Sequence, residues 1–208
     1  PLSLGSVSLS IANTSIDGIE LRTVPGSATG TFNAQSTSFQ LTYGVELTKN
    51  IHIGITPKYL YEKIFVDEAT GYGMDAGILY STPVDGLILG FSMTNLGSLS
   101  AFRNERTDLP SQVHFGGTYS FAWDELIFRA ATTFSSELGT SLNHCALGGE
   151  ATYDHALSVR LGYQTGIDSR GFSAGIGIRY SVVLVDYAYI PFSMQLGNSH
   201  LISIGFEL

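Results

Sequence analysis

Residues 172–180, FSAGIGIRY, decide the fold. Phe172, Ala174, Ile176, Ile178 and Tyr180 share one parity, and Ser173, Gly175, Gly177 and Arg179 the other. Successive side chains of an extended chain point to opposite faces, so this is a strand with one apolar and one polar side. The same alternation runs through 157–163, LSVRLGY, and 38–48, SFQLTYGVELT. There Leu157, Val159, Leu161 and Tyr163 oppose Ser158, Arg160 and Gly162, while Phe39, Leu41, Tyr43, Val45 and Leu47 oppose Gln40, Thr42, Gly44 and Glu46.

Extending the pattern outward predicts thirteen strands, at 3–14, 18–24, 37–48, 51–63, 73–82, 87–96, 111–122, 125–135, 142–153, 157–164, 172–181, 184–190 and 199–208. Most have the length of a tilted transmembrane strand, about 9–11 residues, and exceed the roughly 5 or 6 of globular strands. Short turns at 15–17, 49–50, 83–86, 123–124, 154–156 and 182–183 alternate with longer connections at 25–36, 64–72, 97–110, 136–141, 165–171 and 191–198. Short turns at one end and long loops at the other are the habit of outer-membrane barrels. The face chemistry agrees: an apolar set of Leu, Ile, Val, Phe, Tyr and Ala turns outward, and Gly, Ser, Thr, Gln and the charges turn inward. The closing segment LISIGFEL places Ile202, Ile204, Phe206 and Leu208 on one face, as a terminal barrel strand does.

Composition narrows the alternatives. Charged residues make up only 13% of the 208, with 24 glycines, 12 phenylalanines and 11 tyrosines, and mean hydropathy is +0.18. No apolar run approaches the ~20 residues of a membrane helix, so strands must do the spanning. A net charge of −8 with 10 Lys plus Arg lacks the clustered basic face that phosphate binding needs, so nucleic acid is not an expected partner. Cys145 stands alone, which excludes an intramolecular disulfide and a CxxC zinc site; a half-buried structural thiol is the expectation. The expected fold is thus all-β, a transmembrane antiparallel up-and-down β-barrel in a bacterial outer membrane, a single domain over 1–208. Thirteen is an odd count where single-chain bacterial barrels have even ones. The sequence also opens on Pro1, so a fourteenth, N-terminal strand and a plug segment are expected to be missing.

The stretches 29–47 (TGTFNAQSTSFQLTYGVEL), 58–98 (KYLYEKIFVDEATGYGMDAGILYSTPVDGLILGFSMTNLGS), 157–166 (LSVRLGYQTG) and 171–206 (GFSAGIGIRYSVVLVDYAYIPFSMQLGNSHLISIGF) resemble the PorV/PorQ family of outer-membrane barrels. Their most specific part is the DYAY…LGNSH ending. This family is similar in fold to the FadL fatty-acid transporters. The resemblance implies about fourteen strands and a role as an anchor or accessory protein in type IX secretion, with secretion-system proteins or secreted cargo as partners beside the outer-membrane lipid. The alternative is a FadL-like channel for hydrophobic or small solutes, whose plug segment this sequence lacks.

Charges on the inward face need partners, because desolvating them alone costs several kcal/mol. Glu150 is expected to face Arg160 across the hairpin at His155, Lys58 to meet Asp75, and Arg179 to meet Asp186. Such pairs fill and hold a barrel; a constriction that selects a solute is their functional alternative. His52, His114 and His144 share the inward parity but lack HxxxH or HExxH spacing, so no metal or other cofactor is expected. With no GxSxG or comparable nucleophile motif, no enzyme is expected either. Gly175-x-Gly177 lies inside a strand and makes room instead of cradling a phosphate. Tyr59, Tyr61, Tyr80, Tyr119, Phe121, Tyr163, Tyr180, Tyr187 and Tyr189 fit interfacial girdles. The loop 101–110, AFRNERTDLP, carries Arg103, Glu105, Arg106 and Asp108 and is the candidate extracellular docking surface.

Overall fold

The computed structural model describes residues 5–22, 24–102, 105–140 and 142–206. Its thirteen strands are β1 (Ser6–Leu21), β2 (Gly30–Thr48), β3 (Ile51–Ile64), β4 (Asp67–Ser81), β5 (Leu87–Phe102), β6 (Glu105–Asp108), β7 (Gln112–Trp123), β8 (Leu126–Glu137), β9 (Asn143–Tyr153), β10 (Leu157–Thr165), β11 (Phe172–Tyr180), β12 (Val183–Pro191) and β13 (Asn198–Phe206). They form one sheet in sequence order from β1 to β13, with β6 attached to β5 alone. Among the described residues, the ladders β1–β2, β2–β3, β5–β6 and those from β8 through β13 are antiparallel. The all-β up-and-down architecture expected from residue alternation is therefore present.

The agreement in number hides two changes. The strands expected at 3–14 and 18–24 are one strand, β1, and the loop expected at 97–110 contains β6. Twelve strands follow one another along the path, so the odd count carries no argument about an absent strand. The expected loop at 64–72 is also mostly strand: β3 and β4 continue to a two-residue turn at Phe65–Val66, where Phe65 takes φ 58°.

The chain divides into two compact units, residues 1–78 with 92–112, and residues 79–91 with 113–208. In the second unit the apolar positions align into rows that cross successive strands. One row runs Phe128, Ala151, Val159, Ile176, Tyr187, Ile202; the next runs Leu126, Tyr153, Leu157, Ile178, Val185, Ile204. Val159, Ile176, Ile178, Ile202 and Ile204 are exposed. The opposite face of the same strands carries Arg129, Glu150 and Arg160 in one row, and Gly148 beside Gly162 in another.

The first unit has the same alternation with a reversal in it. Toward the turn at Lys49–Asn50, one face holds the rows Val7–Tyr43–Ile55, Leu9–Leu41 and Ile11–Phe39–Tyr59. From Phe39 to Leu47 this apolar run covers about 27 Å of strand, or about 20 Å of height at a tilt of ~40°. Beyond Phe39 the same face turns polar, with the rows Asn13–Thr37–Tyr61 and Ser15–Gln35–Lys63. Gln35 Nε2 and Thr37 Oγ1 both donate to Asn13 Oδ1, at 3.0 and 2.8 Å. The other face changes in the opposite sense, from Ser10–Gln40–Lys58 to Ile16–Ala34–Ile64 and Ile19–Phe32.

A bulge in β1 makes the last of these rows possible. Ile16 pairs with Ala34 and Ile19 with Phe32, so β1 has one residue more than β2 across this step. Gly18 takes φ 70°, and its N–H donates to Asn33 Oδ1 at 3.2 Å. The extra residue brings Ile19 to the face of Ile16, where unbroken alternation would place it beside Ser15. The short turn expected at 15–17 is absent: Asp17 and Gly18 lie within β1 and rephase that strand.

Because nothing lies within 4 Å of where a Gly18 Cβ would stand, substitution there tests backbone conformation alone. Gly18→Ala should lower stability by about 1–2 kcal/mol through the left-handed φ, and Gly18→Asn by less, as Asn tolerates that region. Urea titration of the folded protein reads both; equal losses would remove the bulge from its assigned role.

Candidate functional site

Each unit carries one cluster of charged side chains on the face opposite its apolar rows. In the first, Lys58 on β3 forms an ion pair with Asp75 on β4 at 2.6 Å. Lys58 Nζ also donates to Asn95 Oδ1 at 3.1 Å, and the Asn95 backbone N–H donates to Asp75 Oδ1 at 2.8 Å, which closes a triangle. Asn95 sits within β5 at φ 58°, a conformation that Asn accepts more readily than most residues. Its carbonyl accepts from Ser111 Oγ at 2.9 Å, and its Nδ2 donates to the Pro110 carbonyl at 3.4 Å. The Lys58 side chain is only 12% exposed, so its charge leans on this arrangement more than a surface lysine would. The Lys58–Asp75 pair was legible from parity. Asn95 was not, although Asn-Leu-Gly inside an apolar strand is the signal that would have found it.

The second cluster draws side chains from five strands between β7 and β12. Arg129 Nε on β8 donates to Ser120 Oγ on β7 at 3.2 Å, and its Nη1 to Glu150 Oε1 on β9 at 3.1 Å. Glu150 Oε2 accepts from Arg160 Nε on β10 at 2.5 Å, and Arg160 Nη1 in turn donates to Asp186 Oδ1 on β12. Arg160 stands opposite Glu150 on one side and Gly175 on the other, while Asp186 stands opposite Gly177. The guanidinium thus reaches past β11 on a diagonal, over Gly177. A Cβ on Gly177 would come within 2.5 Å of Asp186 Oδ1 and 3.0 Å of Arg160 Nη1. Glycine at 177 is what lets the two charges meet across the intervening strand.

This corrects the register behind one expected pair. Asp186 is held by Arg160 and stands opposite Gly177, while Arg179 stands opposite Leu184. The reason is the turn: Tyr180 pairs with Val183, so Ser181 and Val182 form it, Ser181 at φ 55°. Expecting the turn at Val182–Val183 moved β12 by two residues against β11. Both clusters balance their charges, Lys58 with Asp75 in the first, Arg129 and Arg160 with Glu150 and Asp186 in the second. The members of the second cluster are 17–51% exposed, so each pair adds at most about 1 kcal/mol.

The remaining candidates are dispersed. His114 Nδ1 is hydrogen bonded to Ser135 Oγ at 2.8 Å, and His144 Nδ1 to the Gly166 carbonyl at 3.0 Å. Among the described residues no group of three or more His, Cys, Asp or Glu can hold a metal ion. Cys145 is exposed rather than half-buried, and pairs with Phe134 and Thr165 in an apolar row. Of the candidate docking loop, Asp108 lies in β6 opposite Ser98 and is exposed. Arg103 and the side chains of Glu105 and Arg106 lie outside the described residues.

No family model matches the chain, and no curated protein does. Among solved structures, the toluene transporter TodX of P. putida shares the fold: TM-score 0.59 and 10% identity, over 89% of this chain and 72% of that one.

The diagonal pair can be tested by coupling. Asp186→Asn should cost about 0.5–1 kcal/mol in the wild-type background and nothing measurable after Gly177→Ala, which separates the charges. Gly149→Ala, where a Cβ meets open space, should leave the full cost in place. Unfolding titrations of the five variants and combinations read this, and an undiminished Asp186→Asn effect in Gly177→Ala would break the assignment.

Proposed function

We propose that this chain is an outer-membrane β-barrel that passes a small hydrophobic or neutral solute, with the apolar rows turned to lipid and the charged clusters turned to the interior. The observation that carries this is the inverted face chemistry. Exposed Val, Ile, Leu, Phe and Tyr side chains continue from strand to strand on one face. Such a face suits hydrocarbon, while the polar face holds glycines, hydroxyls and paired charges. Each cluster has no net charge, which favours an uncharged solute over an ion. The shared fold with a toluene transporter supports the same reading. An anchoring role in type IX secretion rests on the sequence resemblance to PorV/PorQ alone.

Two measurements test the proposal. Cells lacking their own hydrophobic-solute channels should gain uptake of labelled toluene when they express the chain in their outer membrane; absence of any gain counts against transport. Ile176→Arg, in the middle of an apolar row, should destabilise the protein folded in lipid vesicles by about 2–4 kcal/mol, as an arginine near the bilayer midplane does. A water-exposed site would tolerate it within about 0.5 kcal/mol, and that smaller value would remove the membrane from the proposal.

A further inference from the structure

In the first unit, the face that carries the apolar run ends on an aromatic step with polar rows directly above it. Phe39 on β2, Tyr59 on β3 and Tyr72 on β4 form the step, their ring centroids 6.3 and 5.4 Å apart. Tyr72 is 73% exposed and Tyr59 37%. Successive rows on one face are about 7 Å apart. The first row above the step is Asn13, Thr37 and Tyr61, and the second is Ser15, Gln35 and Lys63.

Hydrogen bonding within these rows leaves a specific remainder. Asn13 Oδ1 accepts from both Gln35 Nε2 and Thr37 Oγ1. This holds the two amides side by side, with Asn13 Nδ2 and Gln35 Oε1 left without a protein partner among the described residues. A donor and an acceptor presented together match a hydroxyl, which does both. Water also satisfies them, but water makes no use of the open tyrosine ring below. A sugar uses both features: its rim is hydroxyl, and its C–H face carries the partial positive charge that the negative face of an aromatic ring attracts.

Charge narrows the ligand. Arg22 pairs with Glu20, and Lys63 pairs with Glu68 at 2.7 Å. Glu68 is also hydrogen bonded to Tyr61. Asp17, which accepts from Ser15 Oγ at 3.0 Å, adds a negative charge with no cation against it among the described residues. These rows therefore offer no spare cation to a phosphate, and an uncharged sugar is favoured over an anionic headgroup.

We infer that the Tyr59–Tyr72 step and the Asn13–Gln35–Thr37 rows above it form a docking surface for the uncharged sugar headgroup of a glycolipid. This rests on the membrane placement proposed above and is independent of transport. The occupant follows from position. The polar rows continue the face that this placement turns to lipid, and the apolar run ends at the aromatic step. What stands against the next two rows is then the headgroup layer of the same leaflet. A protein partner would need an apolar centre, whereas these rows are amides, hydroxyls and paired charges around Tyr61.

The test uses the whole chain folded in phosphatidylcholine nanodiscs doped with equal amounts of monoglucosyl diacylglycerol and phosphatidylglycerol of the same acyl chains. Native mass spectrometry after detergent release counts the lipid retained on the protein. Wild type should retain the glucolipid over phosphatidylglycerol by at least about fivefold, the worth of one aromatic contact. Tyr72→Ala should remove most of that preference and Tyr72→Trp should keep it. The double variant Asn13→Ala with Gln35→Ala, which removes the unpartnered donor and acceptor, should lower it as far. Heat-shifted mobility on gels establishes folding for each variant. Equal retention of the two lipids by wild type, or a preference unchanged in both Tyr72→Ala and the double variant, overturns the surface. Methyl glucoside added at the concentration of the glucolipid should leave the preference intact, because it lacks the anchor; displacement would make this a site for free sugar and overturn the glycolipid. Ile176→Arg reads the membrane placement separately, so its full cost together with equal lipid retention removes this surface and leaves the placement standing.

Discussion

A sheet that faces hydrocarbon has to satisfy every backbone N–H and C=O within itself, because each unpaired group costs several kcal/mol there. On the membrane reading, that demand is met by long uninterrupted ladders, such as the nine consecutive pairs joining β12 to β13. Side-chain position is then no longer free: a one-residue slip would exchange the apolar and polar faces of a whole strand. The register shifts in β1 and in β2 lie at Ile16/Ile19 and Glu46/Thr48, at or beyond the ends of the apolar run between Phe39 and Leu47. Asn95 is the exception inside a strand, and it explains a charge. Its turned-out amide is taken by the Asp75 carboxylate, and Lys58 neutralises that carboxylate while holding the Asn95 side chain.

Legibility from the sequence followed from this constraint. Strand parity was readable wherever the two faces differ in polarity, so Phe172 to Tyr180, Leu157 to Tyr163 and the Glu150–Arg160 pairing emerged from alternation alone. Strand ends were not, because beyond Phe39 and Tyr59 the alternation weakens and then reverses. Asp17-Gly18 has the composition of a hairpin turn and acts as a bulge; a local dipeptide does not reveal whether the chain turns back or gains one residue. The register of β12 against β11 was missed for a related reason: Ser181 occupies the left-handed turn position that composition would give to Asn or Gly, so the turn was misplaced and Asp186 stands opposite Gly177 instead of Arg179.

Glycine had been read as space on the polar face, and at Gly177 the space has a definite use. The Arg160 guanidinium lies between two carboxylates on β9 and β12, and the strand between them contributes only the absence of a side chain. That absence is invisible to pairwise reading, which looks for partners on adjacent strands. Diagonal reach over an intervening strand requires both a long donor and a gap, and a sequence shows the first far more plainly than the second.

The strands of the first unit are longer than a bilayer requires. β1 and β2 have 16 and 19 residues against the roughly 9–11 of a tilted span, and the excess is not a continuation of the same pattern. It is polar where the spanning part is apolar and apolar where the spanning part is polar. On the membrane reading proposed above, one continuous ladder serves two solvents in succession, lipid against one face at its lower end and water against that same face at its upper end. The bulge at Gly18 matters because of this exchange. Without the extra residue, Ile19 would stand on the face of Ser15, and Phe32 would lose its apolar partner on β1. On that reading, the length, the reversal and the bulge all act to carry an apolar surface past the lipid, on the face turned away from it.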